Sequence, residues 1–226
     1  MSHEAKRPIY EQLARVGKAL GSAPRLELLD LLAQGERSVE SLARAAGIPI
    51  GSASQHLQVL HAARLVDSRR EGQRIVYRLA DVSVESLFQS LRTTAERQLA
   101  ELPVAVRAYL DGADEFEEID RDELRRRLAH GSAVLIDVRP PEEYAQGHLP
   151  GAISVPLELV AAWADKAPRR KKIIAYCRGP YCVSSLQAVK TLHRKGITAA
   201  RASDGVAEWR AAGLPLERTT SEGAAP

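Results

Sequence analysis

Residues 173–189 read IIAYCRGPYCVSSLQAV, and they decide the fold of the second half of the chain. The apolar run before Cys177 predicts a buried parallel strand, and the residues from Val183 onward predict a helix. Both cysteines of the chain, Cys177 and Cys182, lie in the loop between these elements. Peptide N–H groups in such a loop, the following helix N-terminus and the charge of Arg178 favour a thiolate at Cys177. A buried, inert cysteine is the alternative, and the polar loop around it disfavours that alternative.

Several further motifs surround this loop in a fixed order. They are VLIDVR (134–139), EEY (142–144), GHLPGAI (147–153), Pro156, DGVAEW (204–209) and AGLP (212–215). In this order they resemble a rhodanese domain, from about Glu115 to about Arg218. The resemblance implies a small α/β domain with a central parallel sheet and a persulfide carried on Cys177. It also implies an active-site loop that continues through Arg178, Gly179, Pro180, Tyr181 and Cys182.

Two positions depart from patterns of this fold. Val183 stands where related phosphatases and arsenate reductases have an arginine, so we do not expect phosphate-ester chemistry. Asp204 stands where the rhodanese family commonly has another glycine, which leaves the local turn open.

Asp137 and Arg139 are expected to support the site. They end one predicted strand and Cys177 follows another, and the carboxyl ends of parallel strands share one sheet edge. We predict that Arg139 pairs with an acid, for example Glu143, and braces the loop. Direct contact with substrate is the alternative.

The first half of the chain predicts a helix-turn-helix. One helix is predicted over residues 38–46, capped by Ser38, and the second over residues 52–63. Ala53, Leu57 and Leu60 form the inward side of the second helix. Its polar side chains, which we expect to contact bases in double-stranded DNA, are Ser52, Ser54, Gln55, His56 and Gln58.

A basic hairpin follows, over residues 65–79 with a turn at Glu71-Gly72. We interpret it as a wing whose arginines contact phosphates or the minor groove, and an ordinary solvated hairpin is the alternative. These arginines are Arg69, Arg70, Arg74 and Arg78.

The stretch from about Pro8 to Leu110 resembles the ArsR/SmtB family of winged-helix repressors. The likeness rests on SASQHLQVL (residues 52–60) and on Leu65-Val66, whereas Arg64 stands where many relatives have glycine. The resemblance implies a homodimer, a palindromic operator and repression that an inducer relieves.

Two predicted helices carry apolar stripes that a small winged-helix domain cannot cover. The first spans about residues 5–20, and the second is one long helix over residues 84–109 that Pro103 could bend or interrupt. Pairing with a second copy would bury both stripes and set two recognition helices about 34 Å apart. Packing within one chain is the alternative. The stripes consist of Ile9, Leu13, Val16 and Leu20, and of Leu87, Leu91, Ala95, Leu99 and Leu102.

The metal ligands that many ArsR/SmtB relatives use are missing from the first half. The helix over residues 38–46 has no cysteine, and no histidine lies between His61 and His130. We therefore expect no metal site and no cofactor, and we expect the signal to enter through the second domain.

The sequence predicts two domains and a tail. A mainly α winged helix-turn-helix domain occupies residues 1–110, an α/β rhodanese-like domain residues 111–218, and a disordered tail residues 219–226. The net charge is only +3, so non-specific DNA binding should be modest and salt-dependent. The two cysteines suit a reducing cytoplasm, and no leader or long apolar run predicts a membrane partner.

Three functional hypotheses follow. The first is a transcriptional regulator, acting as a repressor, in which Cys177 takes sulfane sulfur from a donor and Cys182 then forms a bridge. Such a bridge requires the two Cα atoms to lie within about 7 Å. The second is a sulfurtransferase that passes sulfur from Cys177 to a thiol acceptor beside an attached DNA-binding domain. The third is an arsenite-type metalloid sensor that uses Cys177 and Cys182.

Overall fold

The computed structural model describes residues 6–219. Contacts divide the chain into two compact units, Met1–Arg92 and Thr93–Pro226. The predicted boundary after residue 110 differs from this division because Leu110 is buried and residues on both sides of it belong with the second unit. The predicted tail lies outside the described residues from position 220 onward.

The first unit is a winged helix-turn-helix. Its three-stranded antiparallel sheet has the order β1-β3-β2, and the β2–β3 hairpin is the predicted wing. Its elements are α1 (Arg7–Leu20), α2 (Ala23–Ala33), β1 (Arg37–Ser38), α3 (Val39–Ala45), α4 (Ile50–Ala62), β2 (Val66–Glu71), β3 (Arg74–Leu79) and the first part of α5 (Val82–Gln98).

The core of this unit confirms the predicted inward side of the recognition helix. Ala53, Leu57 and Leu60 on α4 are fully buried against Leu28 and Leu42. Ser38 caps α3 as predicted, because its hydroxyl accepts a hydrogen bond from the Ser41 N–H at 3.3 Å. These contacts fix the angle at which the outer face of α4 is presented.

The predicted helix over residues 84–109 is interrupted, which is one of the two outcomes expected from Pro103, and the chain forms two helices there. α5 ends at Gln98, and α6 spans Glu101–Tyr109. Pro103 has no N–H to donate to the Leu99 carbonyl, so the α5 hydrogen-bond ladder stops. Within the first turn of α6 this missing donor costs nothing, since N–H groups there have no helical partner.

The second unit is an α/β domain with a five-stranded parallel sheet of order β4-β8-β7-β5-β6. Its further elements are β4 (Glu118–Ile119), α7 (Arg121–Ala129), β5 (Ala133–Asp137), α8 (Pro141–Gln146), β6 (Ile153–Ser154), α9 (Val160–Ala164), β7 (Lys172–Tyr176), α10 (Val183–Arg194), β8 (Ala199–Ala202) and α11 (Val206–Ala211).

Side chains alternate across this sheet into two cores. Ile173 and Ala175 of β7 pack on the face covered by α10, together with Cys177. Ile174 and Tyr176 pack on the opposite face, with Leu124 of α7 and Trp209 of α11. The period of two residues in a strand thus sets Cys177 and Tyr176 on opposite faces.

One exposed residue of the first unit has a strained backbone. Arg64, just after α4, has φ of +59°, a left-handed conformation that costs a residue with a Cβ about 1–2 kcal/mol. We expect Arg64→Gly to raise the free energy of unfolding by about 1 kcal/mol, measured by urea unfolding with far-UV circular dichroism. Arg64→Ala is the matched control, since it removes the same side chain but keeps the strain. An equal gain in both variants would contradict this explanation.

Candidate functional site

The loop of residues 177–182, called the thiol loop below, lies at the carboxyl edge of the parallel sheet. β7 is the middle strand and ends at Tyr176, so Cys177 is its first loop residue, and Cys182 is the N-cap residue of α10. The two cysteines form a disulfide whose Cα atoms are 6.1 Å apart, inside the limit for such a bridge. Cys177 is buried and Cys182 is half-buried. The bridge closes residues 177–182 into a small ring.

A buried ion pair fixes the strand end from which this ring begins. Arg139 and Asp137 are both fully buried, and the Arg139 Nη2 donates to Asp137 Oδ2 at 2.6 Å. The Tyr176 hydroxyl donates to the same carboxylate oxygen at 2.6 Å and accepts from the Leu149 N–H at 3.0 Å. Arg139 also donates to the Gly147 carbonyl at 2.7 Å. The network therefore joins β5, β7 and the turn after α8.

Burial shapes the ionisation of this network. Burial opposes the charge of Arg139, but the hydrogen bonds and negative charge of Asp137 outweigh it and hold the pKa of the guanidinium above its usual value. Burial, with the charge of Asp137, raises the pKa of Tyr176 well above its usual value. Tyr176 thus remains a neutral hydrogen-bond donor beneath the loop.

Arg139 pairs with an acid as predicted, but the acid that it hydrogen-bonds is Asp137 on the same strand end, and not the suggested Glu143. Glu143 of α8 instead accepts hydrogen bonds from Arg178, with Arg178 Nη2 at 2.6 Å from Glu143 Oε1. Glu143 is buried and Arg178 is half-buried. The charge of Arg178 beside Cys177 is therefore compensated, and the ion pair ties the loop to α8.

Gly205 and Glu208, which the sequence did not single out as site residues, also support the loop. A Cβ built on Gly205 would lie 2.6 Å from the Cys177 carbonyl oxygen, so only glycine fits against the loop backbone. The Gly205 N–H donates to Glu208 Oε2 at 2.8 Å, and the Glu208 carboxylate packs against Gly179. The DGVAEW motif was the available signal. Asp204, the open position, accepts from Arg121 Nε at 2.5 Å and needs no glycine.

The far side of the ring contacts the end of α5 and the last strand. Arg201 of β8 donates to the Pro180 carbonyl at 3.2 Å and pairs with Glu118 of β4. The Tyr181 hydroxyl donates to Glu96 of α5 at 2.5 Å. These residues, with apolar side chains of α6, line a cavity of about 320 Å³. Every residue between the two cysteines therefore has a described contact outside the ring.

The predicted DNA-contacting residues lie on the surface of the first unit. Gln55 and Gln58 of α4 are exposed, and Ser52, Ser54 and His56 are half-buried. The wing arginines Arg69, Arg70, Arg74 and Arg78 are all exposed. Contact of these side chains with DNA stays a prediction.

Two wing arginines have carboxylate partners within the wing region. Arg69 pairs with Glu36 and Glu71, and Arg78 pairs with Asp67 at 3.0 Å. Arg70 Nε donates to the Gly72 carbonyl at 3.0 Å. A phosphate would have to replace the ion pairs of Arg69 and Arg78, so these two arginines would contribute less to affinity than two unpaired arginines would.

Comparisons with known proteins cover both units. Residues 23–68 match the family model described as bacterial regulatory protein, arsR family, and residues 120–212 match the model described as rhodanese-like domain. The chain is 44% identical over 214 residues to the HTH-type transcriptional regulator Rv0324 of Mycobacterium tuberculosis, which covers 95% of this chain and 94% of the relative. The chain belongs to the ArsR family of transcriptional regulators. It carries a rhodanese-like domain.

Each unit of this ArsR-family regulator also has separate relatives. A sulfurtransferase of Allochromatium vinosum is 34% identical over 101 residues, 44% of this chain and 92% of the relative. A solution structure described as the homodimeric winged helix-turn-helix DNA-binding domain of Mb0332 from Mycobacterium bovis, fragment 1–100, is 44% identical. It covers 45% of this chain and 94% of that chain, with a TM-score of 0.42.

Two features are absent from the part of the chain that the structure describes. Within residues 6–219, no helix is long and apolar enough to cross a membrane. The same residues contain no group of three or more histidine, cysteine, aspartate or glutamate side chains arranged to hold a metal ion.

The close approach of Gly205 to the thiol loop gives a direct test of the site geometry. We expect Gly205→Ala to lower the free energy of unfolding by about 2–3 kcal/mol and to slow formation of the Cys177–Cys182 disulfide, because the Cβ would displace the loop backbone. Both tryptophans, Trp163 and Trp209, lie in this domain and report its urea unfolding by fluorescence.

Gly147→Ala is the matched control for this substitution. A Cβ at Gly147 would meet only Leu216, at an ordinary 3.7 Å. Equal stability and equal oxidation rates in the two variants would show that the loop does not depend on Gly205.

Proposed function

We propose that this regulator is a DNA-binding repressor whose rhodanese-like domain senses reactive sulfur through Cys177 and Cys182. The observation that carries the proposal is the disulfide that joins the only two cysteines of the chain across the active-site loop. The loop can therefore exist in a dithiol state and a disulfide state. The chain that carries this loop is related to transcriptional regulators. Sulfur chemistry at the loop would then control the occupancy of an operator.

The chemistry needs one donor and both thiols. The Cys177 thiolate attacks the outer sulfur of a sulfane-sulfur donor, the donor S–S bond breaks, and the leaving group takes the electron pair. The product is a persulfide on Cys177. The Cys182 thiolate then attacks the inner sulfur of that persulfide, which releases hydrosulfide and forms the disulfide. The two thiols are oxidised, the donor sulfur is reduced, and a thiol reductant resets the loop.

The contacts of the ring suggest how its state reaches the DNA-binding unit. Arg178 and Gly179 contact side chains of the α/β domain, whereas Tyr181 donates to Glu96 of α5. α5 begins at Val82 in the first unit and ends at Gln98 in the second, so one helix belongs to both. A loop that changes shape on bridge formation would change the Tyr181–Glu96 hydrogen bond and bias α5.

The regulator also exposes two apolar faces that a second copy would cover. Ile9, Tyr10 and Leu13 of α1 are each more than 60% exposed, and Leu87 and Leu91 of α5 are also exposed. Val16 and Leu20, predicted for the same stripe, pack on the core of their own unit instead. We infer a homodimer that places two α4 helices on a palindromic site in double-stranded DNA.

Sulfurtransferase activity is the second candidate function. The identity to the Allochromatium vinosum sulfurtransferase favours it. In that case the Cys177 persulfide passes its sulfur to an acceptor, and the DNA-binding unit responds to another signal.

The dimer is tested by placing a charge on its expected interface. We expect Leu13→Glu to shift the protein to a monomer in analytical ultracentrifugation and to weaken binding to a palindromic duplex at least tenfold, since a carboxylate cannot be buried unpaired. Gln12→Glu is the matched control, because it adds the same charge at an exposed position one residue away, about 100° around the helix on the side away from Tyr10. A dimeric Leu13→Glu protein would exclude α1 from the interface.

The switch is tested by duplex affinity at fixed salt, with DNA selected from a random library by the reduced protein. We expect sodium disulfide, a polysulfide donor, to lower the affinity of the wild type roughly ten- to hundredfold, a common range for coupled sites. Cys177→Ser should not respond, and Cys182→Ser should gain a sulfur by mass spectrometry without losing affinity.

The opposite result separates the two candidate functions. Wild-type affinity that stays unchanged after complete conversion of Cys177 would reject the sensor. If the same protein then transfers sulfur catalytically to cyanide or to a thiol, the enzyme hypothesis takes its place.

A further inference from the structure

Three arginines lie against or beneath the thiol loop, and each of them is paired with a carboxylate. Arg178 pairs with Glu143 and Arg201 with Glu118, while Arg139 pairs with Asp137 beneath the loop. Because each positive charge has a negative charge at hydrogen-bond distance, these arginines add little net positive potential at Cys177.

A fourth carboxylate lies against the same loop. Glu208 is buried, accepts from the Gly205 N–H at 2.8 Å and packs against Gly179. Each of the three arginines thus faces a carboxylate, and Glu208 and Glu96 place further carboxylates against the loop. The loop still offers backbone N–H groups and the α10 N-terminus to an anion, but the side chains around it do not favour a second negative charge.

The surroundings of Cys177 are also apolar. Cys177 belongs to a buried cluster with Val138, Val155 and Ala188, and the half-buried side chains of Leu157 and Trp163 pack against it. A strongly hydrated dianion would lose much of its hydration on approaching this sulfur. A weakly hydrated sulfur chain would lose much less.

We propose that this loop selects sulfane-sulfur donors of low charge, namely hydrogen polysulfides and organic persulfides, over oxyanion donors such as thiosulfate. This inference rests on the proposed function and specifies the donor class that the same cysteine accepts. With hydrogen disulfide, Cys–S⁻ and HS–S⁻ give Cys–S–S⁻ and HS⁻. With thiosulfate, Cys–S⁻ and S–SO₃²⁻ give Cys–S–S⁻ and SO₃²⁻. In both reactions the leaving group takes the electron pair of the broken S–S bond.

The test measures persulfide formation on Cys177 in the full-length, reduced Cys182→Ser protein by intact mass spectrometry. Sodium disulfide and sodium thiosulfate are compared at equal ionic strength, and each rate is divided by that of the same donor with glutathione. This normalisation removes the intrinsic reactivity of the donors. We expect the normalised rate with sodium disulfide to exceed that with thiosulfate at least about tenfold, as one unfavourable charge near the site would give.

Glu143→Gln tests the cause of this preference. Glutamine keeps a hydrogen-bond acceptor for Arg178 but removes the compensating charge, so the normalised thiosulfate rate should rise on the order of tenfold and the disulfide rate less. Glu142→Gln is the matched control, because Glu142 is the exposed neighbour on α8, and it should leave both rates unchanged.

Each outcome decides between separate claims. Equal normalised rates in the Cys182→Ser protein, or an unchanged ratio after Glu143→Gln is added to that protein, would overturn the inference and leave the proposed sensor function standing. If neither donor converts Cys177, the proposed function fails and the inference fails with it. Should Glu143→Gln not fold, the normalised rates of the Cys182→Ser protein are measured at increasing salt concentration. Screening by salt must then raise the thiosulfate rate more than the disulfide rate.

Discussion

The buried Asp137–Arg139 pair is the interaction on which the thiol site depends. Two charges in a solvent-free interior are tolerated only with full hydrogen bonding, and here Tyr176 and the Gly147 carbonyl supply further partners. Through Tyr176 the pair fixes the end of β7, and through Gly147 it fixes the turn after α8. Cys177 follows Tyr176 directly, so the position of its sulfur is set by a network that contains no sulfur.

Around this fixed point the loop is held from several directions by different elements. Glu143, Gly205 with Glu208, and Arg201 position its backbone, while Tyr181 reaches Glu96 on α5. A ring held in this way has little freedom to absorb a change at the cysteines. In the proposed switch, a new covalent state is transmitted through the Tyr181–Glu96 hydrogen bond on the solvent-exposed side of the loop. The same carboxylates that position the loop also contribute to its charge, so the loop position and the proposed donor preference have one structural origin.

Much of this organisation could be predicted from residue patterns. The inward positions Ala53, Leu57 and Leu60, the Ser38 cap and the strand before Cys177 all follow from local periodicity and capping chemistry. The two-residue strands β1, β4 and β6 could not be predicted, because so short a segment has no period of its own and is defined by its neighbour. The break between α5 and α6 was detectable at Pro103, but whether a proline bends or ends a helix depends on what the freed groups contact.

By itself, the sequence determined the two fold classes, the cysteine loop and two of the residues that support it, Asp137 and Arg139, because hydrophobic period and turn chemistry act over a few neighbouring positions. Only the tertiary structure decided which acid each arginine meets, since Glu143, Glu118 and Asp137 lie at very different distances from their partners along the chain. It also decided that Gly205, and not position 204, must lack a side chain. Ion pairs and close backbone contacts depend on distances in space. Residues far apart in the sequence reach these distances only when the folded sheet brings its strand ends together.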